Sequence, residues 1–390
     1  MTLERAITDY QAKTPRSRQL FEEALRVMPG GNSRTTTFFD PYPFYITRGE
    51  GARIWDADGH EYLDFLGEYT AGLYGHSHPV IQEAIRQALA DGTTLGAPNR
   101  YETQLAAAIC GRFPSIELIR FCNSGTEANV MALSLARAAT GRRKIVVFEG
   151  GYHGGVLYFH HGGSPLNFPA PFVVGDYNDP AAAELVDEDT AAVLVEPMLG
   201  SGGAIPGDRA FLQALRDAAR DHGALLIFDE VMTSRLAWGG LQEVLAITPD
   251  LTTLGKYLGG GLAFGAFGGR RDLMELFDPS RPDALPHAGT FNNAVLTMAA
   301  GAAGLTQVLT RDEIARLNAL GDRLREHSAA LGVRATGYGS MVGLHDVEHV
   351  FFGMLERGYS YARRGFVALS LPLTEEDVDG FADALAAELA

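Results

Sequence analysis

The segment that most restricts the fold is residues 224–261. Ala224-Leu225-Leu226-Ile227-Phe228 is a continuous apolar run, the pattern of a strand buried on both faces. It ends in Asp229-Glu230, two carboxylates where burial is costly. A second β-favouring segment, Leu251–Leu254, then delivers one lysine, Lys256, into a glycine-rich loop. In open α/β sheets, ligands bind outside the carboxyl ends of strands. An acid after one strand and an amine after the next therefore fix a position as well as a chemistry. The pair suits pyridoxal 5'-phosphate (PLP): the lysine holds its aldehyde as a Schiff base, and the acid keeps its ring nitrogen protonated.

With 390 residues the chain can bury a large core and form two domains. Hydrophobic residues at 46% and charged residues at 21% are those of a globular protein. A formal charge of −16 argues against nucleic acid or an anionic membrane surface as partner. Cys110 and Cys122 are too few for a disulfide framework, which fits a reducing cytoplasm. The first residues lack the apolar core of a signal peptide, and no apolar run is long enough to span a bilayer.

Along the chain, Leu20, Phe21, Ala24, Leu25 and Met28 fall at helical spacing, and Pro29-Gly30-Gly31 stops that helix. A β-rich stretch, Phe44–Phe65, turns at Asp58-Gly59. Residues 68–78 read as a loop, and Val80–Leu89 as an amphipathic helix. Strands and helices then alternate, as in an α/β fold. Strands are expected at Ile116–Phe121, Lys144–Phe148, Ala191–Val195, Ala224–Phe228 and Gly265–Gly268, with helices at Thr126–Ala139 and Asp208–Asp221. Asn293–Val308 is long enough to link two domains. The rest, a helix near Asp312–Ala330, β segments and a last helix from Thr374, reads as a smaller α+β domain.

Four strand ends carry polar motifs. Ser124-Gly125-Thr126-Glu127 opens a helix with hydroxyls, a glycine and free N–H groups, which suits a phosphate and equally an ordinary N-cap. Tyr152 and His153 lie between glycine pairs, where either ring suits stacking on a flat heteroaromatic; alone, the motif reads as a turn. His153 has no second ligand at i+4, so no metal is expected there. Glu196-Pro197 follows the strand AVLV. The glycines after Lys256 follow the lysine instead of opening a helix, so they are not a dinucleotide fingerprint, and no Walker loop is present. Each motif alone is weak; their convergence is the informative feature.

Together SGTEAN, GGYHG, VEPM, FDEVMTSR and TLGKYLGGG resemble the class III aminotransferases, a branch of the fold-type I PLP enzymes that includes glutamate-1-semialdehyde aminomutase. Within that group, MPGGNSRTTTFF, EYTAGLYGHS, HAGTFNN and RRGFVALSLPLT are most similar to bacterial aromatic β-amino-acid aminotransferases. The resemblance implies a large domain over 51–295 with a mostly parallel seven-stranded sheet between helices. It also implies a small α+β domain from residues 1–50 and 296–390.

By the same resemblance Lys256 is the Schiff-base lysine and Asp229 the partner of the pyridine nitrogen. Ser124, Gly125 and Thr126 hold the phosphate, Tyr152 stacks on the ring with His153 beside it, and Val231 packs behind it. Glu196 lies in the hydrogen-bond shell near Asp229. Thr290 completes the phosphate site from a partner subunit, which implies a homodimer with shared sites. Arg34 and Arg364 read substrate carboxylates and Tyr69 lines the pocket, although arginines in such segments are commonly solvated charges. The implied reaction moves an amino group from a β-amino acid, through pyridoxamine 5'-phosphate, to a 2-oxo acid such as 2-oxoglutarate. The alternative is an aminomutase or racemase. Phe291-Asn292-Asn293-Ala294 stands where the aminomutase branch has serine-glycine-asparagine-proline, which counts against the mutase.

Overall fold

The computed structural model describes residues 3–390 and divides into two compact units. One is Pro79–Arg316; the other joins the chain up to His78 with Leu317–Ala390. The second division falls inside a helix, Arg311–Ala330.

The larger unit is built on a seven-stranded sheet. Its strands are β1 (Leu118–Cys122), β2 (Lys144–Phe148), β3 (Phe172–Gly175), β4 (Thr190–Val195), β5 (Leu225–Asp229), β6 (Leu251–Gly255) and β7 (Gly265–Gly269). The spatial order is β1-β7-β6-β5-β4-β2-β3, and β7 runs antiparallel to both neighbours while the other pairings are parallel. The sheet is the mostly parallel, seven-stranded one that the resemblance implies.

The apolar run at β5 has a direct cause. Leu225 and Ile227 face a layer containing Ala128, Ala132, Leu133 and Ala136 of the helix Gly125–Thr140. Leu226 and Phe228 face Phe211, Leu212, Leu215 and Ala219 of the helix Arg209–His222. Successive side chains of a strand point to opposite faces, so a strand covered on both sides has no polar position to spare. Both helices end at a left-handed glycine, Gly141 (φ 69°) and Gly223 (φ 67°).

Several elements of this unit were not expected, among them β3 and the helix Arg100–Arg112, whose first turn is capped by Asn99 accepting from the Glu102 N–H at 3.1 Å. The stretch Asn293–Val308, read from the sequence only as long enough to link two domains, contains a helix at Val295–Ala303 that widens into a π-helical turn at Gly304–Val308.

In the smaller unit, Ile46–Glu50, Arg53–Asp56, Glu61–Asp64 and Tyr359–Ser360 form one sheet in that order. Ala335–Tyr338, Met341–Leu344 and Phe366–Ala368 form a second, antiparallel sheet. The N-terminal helix Leu3–Lys13 lays Tyr10 against Phe352, with ring centroids 5.2 Å apart. Phe65 stacks on Phe381 of the last helix, Glu375–Leu389, at 4.5 Å. That helix starts with a capping box between Thr374 and Asp377. Residues 68–78 are not a plain loop: Gly67, Glu68, Tyr69 and Thr70 form one left-handed turn, with φ of 52°, 48°, 51° and 81°. Among the described residues no helix is long and apolar enough to cross a membrane.

Candidate active site

Asp229 ends β5 with 4% exposure, and every oxygen of its carboxylate is engaged. Oδ2 accepts from Asn129 Nδ2 and from His153 Nδ1, both at 2.8 Å, and Oδ1 accepts from the Val231 N–H at 3.0 Å. Asn129 is fixed in turn. Its Oδ1 accepts the Thr253 hydroxyl at 2.7 Å, and its Nδ2 also reaches the His153 carbonyl at 3.0 Å. Flipping that amide would set its oxygen against two acceptors, so its orientation is determined. A buried carboxylate needs hydrogen-bond partners, and the network supplies one or more to each of its oxygens.

Glu196, at the end of β4, is also buried. Its oxygens accept the N–H groups of Tyr152 and Gly200, each at 3.0 Å. Burial pushes its carboxyl up to about 7; His153 opposes the rise and Asp229 adds to it. Glu230 points elsewhere, accepting the N–H groups of Leu241 (3.1 Å) and Gln242 (2.8 Å) and the Thr233 hydroxyl. Burial raises its proton affinity too, and its role is to cap the turn 240–242.

Ser124 is the N-cap of the helix Gly125–Thr140, its Oγ accepting the Glu127 N–H at 3.1 Å. Thr126 Oγ1 accepts the Gly155 N–H at 3.3 Å. Val231 packs where a methyl on Gly125 or Gly255 would come within 3.0 or 3.1 Å of it. This close approach explains glycine at both positions. The 287–293 segment carrying the exposed Thr290 is tied to the same strand end, Asn123 Nδ2 donating to Asn292 Oδ1 at 3.1 Å.

Lys256 follows β6, three residues past Thr253, which pairs with Asp229 across the sheet. Its φ of 58° is left-handed, a conformation that costs a non-glycine residue energy and clusters at functional sites. The chain has three lysines; Lys13 is paired with Glu356 and Lys144 with Asp187. Tyr152 is 38% exposed, on a hairpin of Gly151–Tyr152 and Tyr158–Phe159, whereas the neighbouring His153 is buried against Asp229.

These residues fit PLP. A buried, donor-fixed carboxylate matches a protonated pyridine nitrogen. A helix N-terminus with two hydroxyls matches a phosphate, and an amine stands at the next strand end.

In the smaller unit, Tyr69 is buried and its hydroxyl donates to the Thr36 carbonyl at 2.7 Å. The Arg34 and Arg364 guanidiniums lie 5.8 and 5.6 Å from its ring centre. Arg34 is ion-paired with Glu68, with about half of each side chain exposed. Burial raises the Tyr69 phenol, while the two arginines pull it down. The three substrate residues expected from the sequence are thus grouped around one ring.

A family model, aminotransferase class-III, matches residues 37–159 and 178–344. The chain belongs to the class III aminotransferases. It is a PLP-dependent transaminase whose small-molecule partners are an amino donor and a keto-acid acceptor. A β-phenylalanine transaminase of Variovorax paradoxus is 51% identical over 95% of this chain and 92% of its own. A solved structure described as a β-phenylalanine aminotransferase from that organism superposes with a TM-score of 0.96 at 49% identity, covering 99% of this chain and 96% of the other. A glutamate-1-semialdehyde 2,1-aminomutase of Methanothrix thermoacetophila is 40% identical over 89% of this chain and 84% of its own.

Three residues of this aminotransferase escape a reading of motifs. Asn129 belongs to SGTEAN and Thr253 to the strand before the lysine, but only coordinates join them to Asp229. Glu68 is an unremarkable acid in sequence, and its left-handed backbone sets it against Arg34.

Proposed function

We propose that this aminotransferase takes the amino group of an aromatic β-amino acid of the β-phenylalanine type and passes it to a 2-oxo acid such as 2-oxoglutarate or pyruvate. The observation that carries the reading is the grouping of Arg34 and Arg364 around Tyr69, with Arg34 already engaging a carboxylate, that of Glu68. A guanidinium offers a carboxylate a permanently charged, two-pronged donor, and an aromatic ring beside it suits an aromatic side chain. The 51% identity to a β-phenylalanine transaminase supports the same substrate class.

In this reading Ser124, Gly125, Thr126 and, from a second copy of the chain, Thr290 hold the cofactor phosphate. Tyr152 and Val231 enclose its ring, with His153 and Glu196 in the shell behind. Bound there, PLP supplies an electron sink for the carbon that loses its proton. Asp229 would keep the proton on the pyridine nitrogen, and its fixed hydrogen-bond partners hold it aimed without reorganisation. The Lys256 amine takes the proton from the amine-bearing carbon of the substrate and returns it as the amino group is transferred. Arg34 and Arg364 hold carboxylates of donor and acceptor, which makes both amino acid and keto acid acceptable to one enzyme.

The test is a half-reaction screen of the PLP-loaded protein with α-, β- and ω-amino compounds, following the cofactor spectrum. Aromatic β-amino acids should convert it fastest, and Arg34→Ala should raise KM for them far more than for simple amines. Faster conversion by α-amino acids, or equal effects on both amine classes, overturns the assignment. Product analysis without added keto acid separates this reading from an aminomutase, which needs none.

A further inference from the structure

Outside the cofactor residues lies a second group of donor atoms, at the open end of the Tyr152 hairpin. Glu149 precedes one arm, Gly151–Tyr152, with Gly150 between, and His160-His161 immediately follow the other, Tyr158–Phe159. One carboxylate oxygen of Glu149 and one nitrogen of each imidazole lie within 4.8 Å of one another.

Neighbours along an extended strand point to opposite sides. Here the left-handed backbone of His161 (φ 52°) turns the second ring back beside the first, with centroids 3.8 Å apart. His160 Nδ1 is screened from water and makes no hydrogen bond, although it sits 3.5 Å from Glu149 Oε1. That carboxylate oxygen also accepts the His161 N–H at 2.7 Å. A shielded imidazole nitrogen thus faces a carboxylate without a hydrogen bond, with a second imidazole alongside.

From this geometry we infer that Glu149, His160 and His161 form a binding site for a divalent first-row transition metal of the Zn2+ type, which staples the hairpin that presents Tyr152. Two imidazoles and one carboxylate are borderline ligands, suited to Zn2+, Ni2+ or Cu2+ and poorly to Mg2+ or Ca2+. Tetrahedral ligands at about 2.1 Å from a metal lie roughly 3.4 Å apart. Glu149 and His160 are 41% and 38% exposed, so side-chain rotation is enough to close the remaining gap. Solvent supplies the fourth position. The hairpin has two residues in each arm, and so short a pair is marginal by itself. A metal across its open end fixes both arms, and with them Tyr152.

The ligands share none of the groups assigned to PLP or substrate, so metal binding and the Tm gain test the site separately from the proposed reaction; the gain in cofactor retention rests on the proposed place of Tyr152. The test uses chelator-dialysed holoenzyme titrated with Zn2+ in a calorimeter, with thermal unfolding before and after. One ion per chain should bind, and Tm and cofactor retention should both rise. Glu149→Gln, which keeps a hydrogen-bond acceptor for the His161 N–H, and His160→Gln/His161→Gln should each weaken binding at least tenfold and abolish the Tm gain. Their transaminase activity without Zn2+ should match the wild type. An isotherm unchanged by these variants, no heat of binding, or binding without any rise in Tm overturns the inference.

Discussion

A carboxylate at 4% exposure persists only where donors surround it, and Asn129 is the donor to Asp229 whose replacement is most telling. Asn129→Asp keeps the shape but sets a second carboxylate 2.8 Å from Asp229 Oδ2. One of the two must then hold a proton, and Asp229 no longer stabilises the charged pyridine nitrogen. Single-turnover rates should fall at least about tenfold, or 1.4 kcal/mol of barrier, with a changed pH profile. Thr253→Val should cost less, because the Asn129 side chain keeps its bonds to Asp229 and His153. Unchanged rates in Asn129→Asp would remove it from the mechanism. Glu196 gives a pH prediction. Its carboxyl rises from an ordinary 4.5 to about 7 in the folded chain, mainly through burial. The native state therefore binds more protons than the unfolded one between those values, and stability falls as pH rises through that window. The loss amounts to roughly 3 kcal/mol. Protein stripped of cofactor should lose Tm from pH 5 to 8, and Glu196→Gln should flatten that part of the curve. A slope equal in both proteins would show that other groups cause it.

At the scale of elements, what could be read in advance was what periodicity encodes. β2 falls on the expected residues, Lys144–Phe148, and β5 on the apolar run together with Asp229, because strands buried on both faces are apolar throughout. β3, the sequence FVVG, was too short to stand out from the proline- and glycine-rich segment before it. The helix Arg100–Arg112 carries an Asn-x-x-Glu start signal, Asn99 to Glu102, too short by itself to mark a helix. Left-handed turns made by non-glycine residues, as at Glu68–Thr70, have no sequence signature at all. β7, expected at Gly265–Gly268 and found at Gly265–Gly269, is fixed by space as well as by pattern. A methyl on Gly265 would run into the carbonyl oxygen of Ser124, the N-cap of the helix Gly125–Thr140 proposed to hold the phosphate. Gly155, beside the same site, has open space where its Cβ would be. Gly265→Ala should therefore destabilise the fold by about 1–3 kcal/mol and loosen the cofactor, whereas Gly155→Ala should leave Tm within a degree or two. Equal Tm values for the two variants would mean that β7 is free to shift.

At the scale of the molecule, the fold class and the cofactor motifs were legible because strand ends carry the chemistry of an α/β sheet. What a single chain does not encode locally is its partner. Thr290 is exposed although the resemblance gives it a phosphate, and the adjacent Phe291 is 58% exposed, a large apolar ring turned to solvent. Asn292 anchors that segment to Asn123, so its direction is set by the chain itself. Both facts are accounted for if a second copy covers Phe291 and receives Thr290. Light scattering should then give twice 41.9 kDa for the PLP-loaded protein. Phe291→Asp buries a charge in such an interface without touching the chain's own core, so it should shift the mass toward one chain and weaken cofactor retention together. Thr290→Ala should weaken cofactor retention while leaving the mass doubled, since it removes one hydroxyl and no apolar contact. A single-chain mass with full cofactor occupancy in the unaltered protein would end the shared-site proposal and leave the phosphate to Ser124, Gly125 and Thr126 alone.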